Sequence, residues 1–351
     1  MAKPGLSDHH NRSAHPSRAS HHKRARLLPV PVLAVIDVVL AGAALCVFSL
    51  FHHVLPSRGN QQGVEIPRPD TSSTAPTGGT TSSGENSGDS SSDNSLSLNG
   101  WAVKWPEKFS DTVEKTDHSY RSRDVSVDIQ KVSEDGVTYF VADIYVSSID
   151  NLKTAFAKDT YGRGYRESVE EMARRNNAVI AVNGDYYGTR DIGLVIRNGK
   201  LYRRELFEDV CVLFYDGTMQ TYSSDQVNVD ELVSKGAYQA WSFGPRLLDE
   251  NGKAMTEFQS TVKPANPRTA IGYYEPGHYC MVLVEGRQEN YSKGMRLETL
   301  SQLFESLGCR QAYNLDGGQS SVMAFDGKVY NQPYKGGRSS SDIFYIASLV
   351  E

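Results

Sequence analysis

The sequence predicts an α+β fold, a large mixed and mostly antiparallel sheet with a few packed helices, preceded by one transmembrane helix. Three observations carry this reading. Four pairs of apolar, β-branched runs reverse across Asp-Gly or Asn-Gly, the strongest short hairpin signal. Helical periodicity is confined to short stretches, two of which lead straight into apolar strands. An apolar segment near the N-terminus is set apart from the rest by a tract too polar to fold.

Residues 1–26 carry Lys3, Arg12, Arg18, Lys23, Arg24 and Arg26, with five histidines (His9, His10, His15, His21, His22) at no regular spacing. This composition reads as a disordered, basic cytoplasmic tail, with metal binding by the histidines as the rival. Residues 27–51 are apolar except for Asp37. A helix over 31–51 would rise about 31 Å, enough to cross a bilayer core. Basic residues precede this segment and almost none follow it, so the positive-inside rule places the N-terminus in the cytoplasm and the remainder outside, a type II arrangement in the cell membrane. The apolar run is longer than a signal-peptide core, and Leu45 directly before Cys46 does not suit a lipoprotein signal, so the segment is read as an uncleaved signal anchor. Asp37, costly in mid-membrane, either meets a partner helix or is simply tolerated. Residues 52–98, rich in Ser, Thr and Gly, are expected to be a disordered linker that holds a folded domain off the membrane.

Residues 99–351 have the composition of a globular domain and are long enough for a sizeable core. The net charge of the chain is −5 and the basic residues past the tail are dispersed. No basic stripe with interleaved aromatics marks a nucleic-acid partner. Cys211, Cys280 and Cys309 match no zinc spacing. Cys211 and Cys280 lie in apolar runs as buried thiols would, and a Cys280–Cys309 disulfide is the alternative outside the cell. Histidine is scarce after the tail, and no ligand cluster calls for a metal or other cofactor.

The hairpin turns are Asp135-Gly136, Asn198-Gly199, Asp216-Gly217 and Asp326-Gly327. Helices are expected over 168–176, 229–235 and 297–307, the last with Leu297, Leu300, Leu303 and Phe304 at helical spacing. The first and last of these run into strands, and each strand ends at a polar turn, Asn183-Gly184-Asp185 or Asn314-Leu315-Asp316-Gly317-Gly318. The pairing suggests two related halves meeting at one site.

The second turn continues as Gln319-Ser320-Ser321 and packs a carboxylate, two glycines and two hydroxyls between ordered elements. Glycine lets backbone N–H groups approach a ligand closely, and successive N–H groups make a concavity suited to an anion. An Asp that caps its own turn is the plainer reading. Asp316 and Asp185 at two strand ends could form an acid–base pair for glycosyl or phosphoryl transfer, with a metal clamp as the rival use of two carboxylates. Arginines beside glycine, proline or serine are candidate phosphate ligands: Arg246 in Phe243-Gly244-Pro245-Arg246, Arg268 in Pro267-Arg268-Thr269, Arg287 in Glu285-Gly286-Arg287, and Arg338 in Gly337-Arg338-Ser339. Trp241 reads better as a core aromatic than as a sugar platform.

These motifs in this order, from Asn-Gly-Asp-Tyr-Tyr at 183–187 through Phe-Gly-Pro-Arg-Leu, Pro-Arg-Thr-Ala-Ile-Gly, Glu-Gly-Arg, Ser-Lys-Gly-Met and Leu-Gly-Cys to Asn-Leu-Asp-Gly-Gly-Gln-Ser-Ser at 314–321, resemble the phosphodiester glycosidase family. The resemblance runs from about Asn176 to the C-terminus. It implies an enzyme, a hydrolase that removes a sugar such as N-acetylglucosamine from a sugar-1-phosphodiester. It further implies that Asp316, Gly317, Gly318, Ser320 and Ser321 line the catalytic turn, with Asn183, Asp185, Arg268 and Arg287 completing the pocket. Gly184, Asn314 and Arg246 join them as candidate substrate-binding residues. Gln319 stands where the family often has a third glycine. With the anchor and linker, the implied partner is a phosphate-bearing glycan, in a cell-wall or exopolysaccharide polymer. A non-catalytic glycan-binding module built on the same pocket is the rival, and an envelope-assembly protein that recruits a partner through Asp37 is a third.

Overall fold

The computed structural model describes residues 30–49, 62–69 and 98–350. The chain divides into two units, 1–50 and 51–351. In the first, Val30–Ser49 is a 20-residue α-helix, apolar in sequence but for Asp37. Among the described residues, which leave out some side chains of this helix, no helix is long and apolar enough to cross a membrane. The basic tail 1–26 lies outside the described residues.

The second unit is mostly antiparallel sheet with few helices, but three sheets replace the single large one the sequence suggests. The first sheet has six strands in the order Val64–Glu65, Lys200–Arg203, Val195–Arg197, Ala237–Trp241, Val210–Phe214 and Met219–Tyr222. Seven strands make the second: Gln311–Asn314, Arg268–Glu275, His278–Val284, Val137–Val146, Val125–Glu134, Ser119–Arg121 and Glu114–Lys115. The third has five: Lys328–Val329, Met323–Phe325, Ile180–Asn183, Asp342–Ile346 and Leu152–Phe156. Among the described residues every strand pairing in these sheets is antiparallel.

Side-chain alternation explains the division. Successive residues of a strand point to opposite faces, so a sheet with both faces apolar needs two partners. One face of each sheet contributes to a common core: Leu213 and Trp241 from the first, Ile271 and Met281 from the second, Val182 and Phe344 from the third. The opposite face of each takes one helix. Val212 packs in a cluster with Leu232 of Val229–Ser234. Val282 does so with Leu300 and Phe304 of Leu297–Ser306, and Ala181 and Ile343 with Met172 of Val169–Arg175. Ser168 starts that last helix by accepting the Glu171 N–H at 3.1 Å, which satisfies one of the free first-turn donors.

Local turn chemistry sets the registers. Asp135 and Gly136 have φ of 49° and 71°, Asn198 and Gly199 50° and 74°, Asp326 and Gly327 51° and 69°. Two consecutive positive φ values define the turn whose twist suits a hairpin. Across Asp135-Gly136 two ten-residue strands pair from Glu134 with Val137 out to Val125 with Val146.

One stretch of the expected linker is ordered on this unit. Val64 pairs with Leu201 and Glu65 with Lys200, and Ile66 is buried in the cluster beneath Val229–Ser234. The short run Val64-Glu65-Ile66 can bury apolar surface, but the Ser/Thr/Gly tract beside it masks this in any composition average. The remainder of the expected linker, up to residue 97, lies outside the described residues.

Candidate active site

The two helix–strand–turn segments end side by side, although their strands belong to different sheets. Asn183 clasps them together. Its Nδ2 donates to the carbonyls of Asp316 at 2.7 Å and Gly184 at 3.1 Å, and its Oδ1 accepts from Thr269 Oγ1 at 2.7 Å. The Asp316 N–H donates back to the Gly184 carbonyl at 3.3 Å. Asn183 is fully buried, so it shapes the site and does not line it.

Beyond Asp316 the chain folds flat against the start of strand Arg268–Glu275. The Gly318 N–H donates to the Pro267 carbonyl at 2.9 Å. A Cβ on Gly317 would stand 2.7 Å from that oxygen, and one on Gly318, where φ is +67°, would stand 3.2 Å from the Arg287 guanidinium. Gly317 is therefore needed for the close approach of backbone, and Gly318 for its positive φ. Arg287 is held over the turn by Asn266 Oδ1, which accepts from its Nε at 2.9 Å and its Nη2 at 2.7 Å. An open cleft of about 490 Å³, lined by Arg287, Tyr291 and Lys293, lies on that side.

A second arginine meets the carboxylate itself. Arg338 donates through Nη2 to Asp316 Oδ2 at 3.0 Å and through Nε to Ser320 Oγ at 3.0 Å, and its guanidinium stands 5.2 Å from the Tyr186 ring. The Asp316 side chain is 12% exposed and that of Arg338 38%. Burial raises the Asp316 pKa above the ordinary carboxyl value, against the opposing hydrogen bond of Ser320 and the charge of Arg338. An acid that holds its proton more tightly than usual, at the rim of an arginine-lined turn, is suited to proton transfer beside an anion. Gln319 donates from Nε2 to the Gly337 carbonyl at 2.9 Å. The residue at the family's third glycine thus ties the turn to the loop that carries Arg338.

Asp185 does not pair with Asp316 as an exposed acid–base partner. Its Oδ1 accepts from Arg197 Nη2 at 2.8 Å and the Tyr187 N–H at 3.2 Å, and its Oδ2 from the Ser242 N–H at 2.9 Å. The same guanidinium also holds Asp342, whose Oδ2 accepts from Arg197 Nε at 2.9 Å and lies 2.8 Å from the Nη2 that meets Asp185. All three side chains are at most 1% exposed. A carboxylate so enclosed and so fully bonded is a structural ion pair. Burial pushes the Asp342 carboxyl up, with Arg197 opposing, and its Oδ1 packs where a Cβ on Gly184 would fall, 2.1 Å away. Gly184 is therefore a packing requirement.

Arg268 also turns away from the pocket. Its Nε donates to the Met295 carbonyl at 2.9 Å and its Nη2 to the carbonyls of Val262 at 2.6 Å and Pro264 at 2.5 Å. Burial lowers its pKa to about 10. The guanidinium staples a loop, because backbone carbonyls inside a protein need donors as much as any phosphate does. Arg246 bridges to Tyr313 and its N–H donates to Asp209 Oδ2 at 2.9 Å. Among the described residues no hydrogen bond links its side chain to the turn. Asn314 donates from Nδ2 to the Gly244 carbonyl at 2.7 Å. Ser321 is buried behind the turn and its carbonyl accepts from Asn331 Nδ2 at 3.2 Å. Of the residues the sequence singles out, Asp316, Gly317, Gly318, Ser320 and Arg287 come together, while Asn183, Gly184, Asn314 and Ser321 support them from beneath.

Arg338, one of the four arginines that the sequence offers as phosphate ligands, joins the site. Two other participants were not singled out. Asp342 and Arg197 each carry one weak signal, a charge at one end of an otherwise apolar strand. Glu285, two residues before Arg287, is also buried; its Oε1 accepts the Gln332 N–H at 2.5 Å, and burial raises its pKa to about 7 against that hydrogen bond. Among the described residues no three His, Cys, Asp or Glu side chains converge as a metal site would require.

Residues 176–347 match the model of a protein family described as phosphodiester glycosidase. A prophage-derived uncharacterized protein of Bacillus subtilis, YomE, is 36% identical over 181 residues, a span that covers 49% of this chain and 28% of that protein. The catalytic domain of zebrafish N-acetylglucosamine-1-phosphodiester α-N-acetylglucosaminidase, solved in a form auto-inhibited by its pro-peptide, superposes with a TM-score of 0.51 at 20% identity, covering 64% of this chain and 83% of that one. A hypothetical protein from Synechocystis gives a TM-score of 0.44 at 14% identity, covering 64% and 62%.

Proposed function

Taking residues 176–347 as a phosphodiester glycosidase domain, we propose that the protein hydrolyses a sugar-1-phosphodiester, releasing a sugar such as N-acetylglucosamine from a cell-wall or exopolysaccharide polymer. The observation that carries this reading is the convergence of Arg338, Arg287 and Asp316 on one glycine turn. A phosphodiester carries one negative charge flanked by hydroxyl-bearing groups. Two guanidinium groups beside a carboxyl of raised pKa provide both the anion contact and the proton transfer that its cleavage needs. Arg287 and Arg338 hold the phosphoryl oxygens and favour the phosphate as leaving group. Ser320 Oγ orients Arg338, and Asp316 handles the proton next to the scissile bond. Asp185 keeps the turn in place through its ion pair with Arg197 and takes no part in the chemistry.

The domain is proposed to act outside the cell, tethered by segment 27–51 as a type II anchor. The length of that segment, its apolar sequence and the basic residues before it support this. The test is hydrolysis of UDP-N-acetylglucosamine and of a synthetic sugar-1-phosphodiester by the purified full chain, with and without chelator, beside Asp316→Asn. Sugar release lost in the variant supports the assignment. Release equal in both, or binding of the phosphodiester without any release, overturns it, and the latter outcome establishes a glycan-binding module.

A further inference from the structure

Cys280 lies in strand His278–Val284, where its Cα partner is Gly272 of strand Arg268–Glu275. Cys309 follows helix Leu297–Ser306 and precedes strand Gln311–Asn314, which pairs along the other edge of the same middle strand, Ala312 with Gly272. The two thiols thus approach from opposite neighbours of one strand and meet over Gly272, their Sγ atoms 3.7 Å apart. The missing side chain makes this possible. A Cβ on Gly272 would stand 2.6 Å from Cys280 Sγ and 2.8 Å from Cys309 Sγ. Both cysteines are buried, at 1% and 3% exposure, in the cluster under the helix.

We propose that Cys280 and Cys309 are joined by a disulfide that staples the two outer strands across the middle one. Closing the gap to a bond of about 2.05 Å moves the sulfurs together by about 1.7 Å. Cys309, at 3% exposure the less buried of the two, reacts first. Its thiolate attacks a low-molecular-weight disulfide, expelling one thiolate and forming a mixed disulfide. Cys280 then attacks the Cys309 sulfur and expels the second thiolate. The two cysteine protons end on the departing thiols, and the two electrons that the cysteines lose reduce the oxidant.

The three stapled strands are the ones that carry the site. The middle strand begins beside Pro267, which accepts from Gly318; the strand of Cys280 runs out to Arg287; the strand next to Cys309 runs out to Asp316. Cys211 is the internal control. It is fully buried in the common core, on a different sheet.

The test incubates the full chain with oxidised glutathione or with a reductant, unfolds each sample in the presence of an alkylating agent, and maps the peptides. A Cys280–Cys309 cross-link that is present after oxidation and absent after reduction, with Cys211 alkylated in both samples, is the expected result. Alkylation of Cys280 and Cys309 in the oxidised sample, or a cross-link through Cys211, overturns the proposal. Thermal unfolding of the same two samples should show a higher midpoint for the oxidised chain, and equal midpoints rule out the staple. Neither measurement depends on a variant folding. Where Cys280→Ser does fold, its midpoint should not respond to oxidant.

Discussion

One guanidinium grips the turn at two points: Arg338 donates from Nη2 to Asp316 Oδ2 and from Nε to Ser320 Oγ, each at 3.0 Å. The arrangement couples the protonation of Asp316 to whatever occupies Arg338. A phosphoryl group that draws the cation away removes an influence holding the Asp316 pKa down, so substrate binding itself makes the acid better able to keep its proton.

Asp316→Asn keeps the size and one acceptor of the side chain but cannot transfer a proton. Turnover should fall by about 10²–10⁴-fold, the usual contribution of a positioned acid or base. The thermal midpoint should stay near wild type, since burial disfavours the charge that the variant removes. Steady-state kinetics beside a melting curve checks both halves, and a variant that melts early while retaining kcat contradicts the role.

Arg338→Ala removes a charge that lowers the Asp316 pKa while the larger, opposing effect of burial remains. The pKa should move further up, and the limb of the pH–rate profile governed by Asp316 should move to higher pH with it. KM for the phosphodiester should rise about 10-fold or more, in line with about 1.5–3 kcal/mol for hydrogen bonds to a charged group. A limb that stays fixed or moves to lower pH is incompatible with the contact.

The hairpins, the helix-to-strand sequences and the meeting of two polar turns were legible because each depends on local chemistry. Asp135-Gly136 and Asn198-Gly199 adopt the paired positive φ values that their residue types favour, and Leu297, Leu300 and Phe304 bury one helix face at helical spacing. The glycine turn at 316–318 was legible for the same reason. The direction in which a charged side chain points is not local. Arg268 and Arg287 follow similar motifs, yet one feeds four backbone carbonyls and the other covers Gly318. The difference lies in the loop 262–264, which tertiary packing brings in. The setting of Asp185 is equally non-local, because Arg197 reaches it from another strand and brings Asp342 with it.

Arg197→Met tests that buried network. Its guanidinium binds Asp185 and Asp342 with all three side chains at most 1% exposed. Removing it leaves two carboxylates enclosed without a cation, which typically costs about 3–5 kcal/mol. Chemical denaturation should register the loss, and Asp342, already raised by burial, loses the cation that opposes the rise, so the variant should regain stability as pH is lowered. Loss of activity without loss of stability would instead return Asp185 to the chemistry.

Glu285 gives the most direct pH signature. Its ordinary pKa of 4.5 rises to about 7 in the folded protein through burial. Below pH 4.5 the group is protonated in both the folded and the unfolded chain and has no pH-dependent effect. Between 4.5 and 7 the unfolded chain has released the proton and the folded chain still holds it, so each rise in pH favours unfolding. Stability should therefore decline as pH climbs through that window and level off above it. Asp342 and Asp316, also raised by burial, slope in the same direction, so the wild-type curve alone does not isolate Glu285. Glu285→Gln removes the titration while keeping a neutral acceptor for the Gln332 N–H. The wild-type advantage over this variant should be largest near pH 4.5 and shrink toward pH 7. Parallel melting curves across the range would show that Glu285 titrates alike in both states.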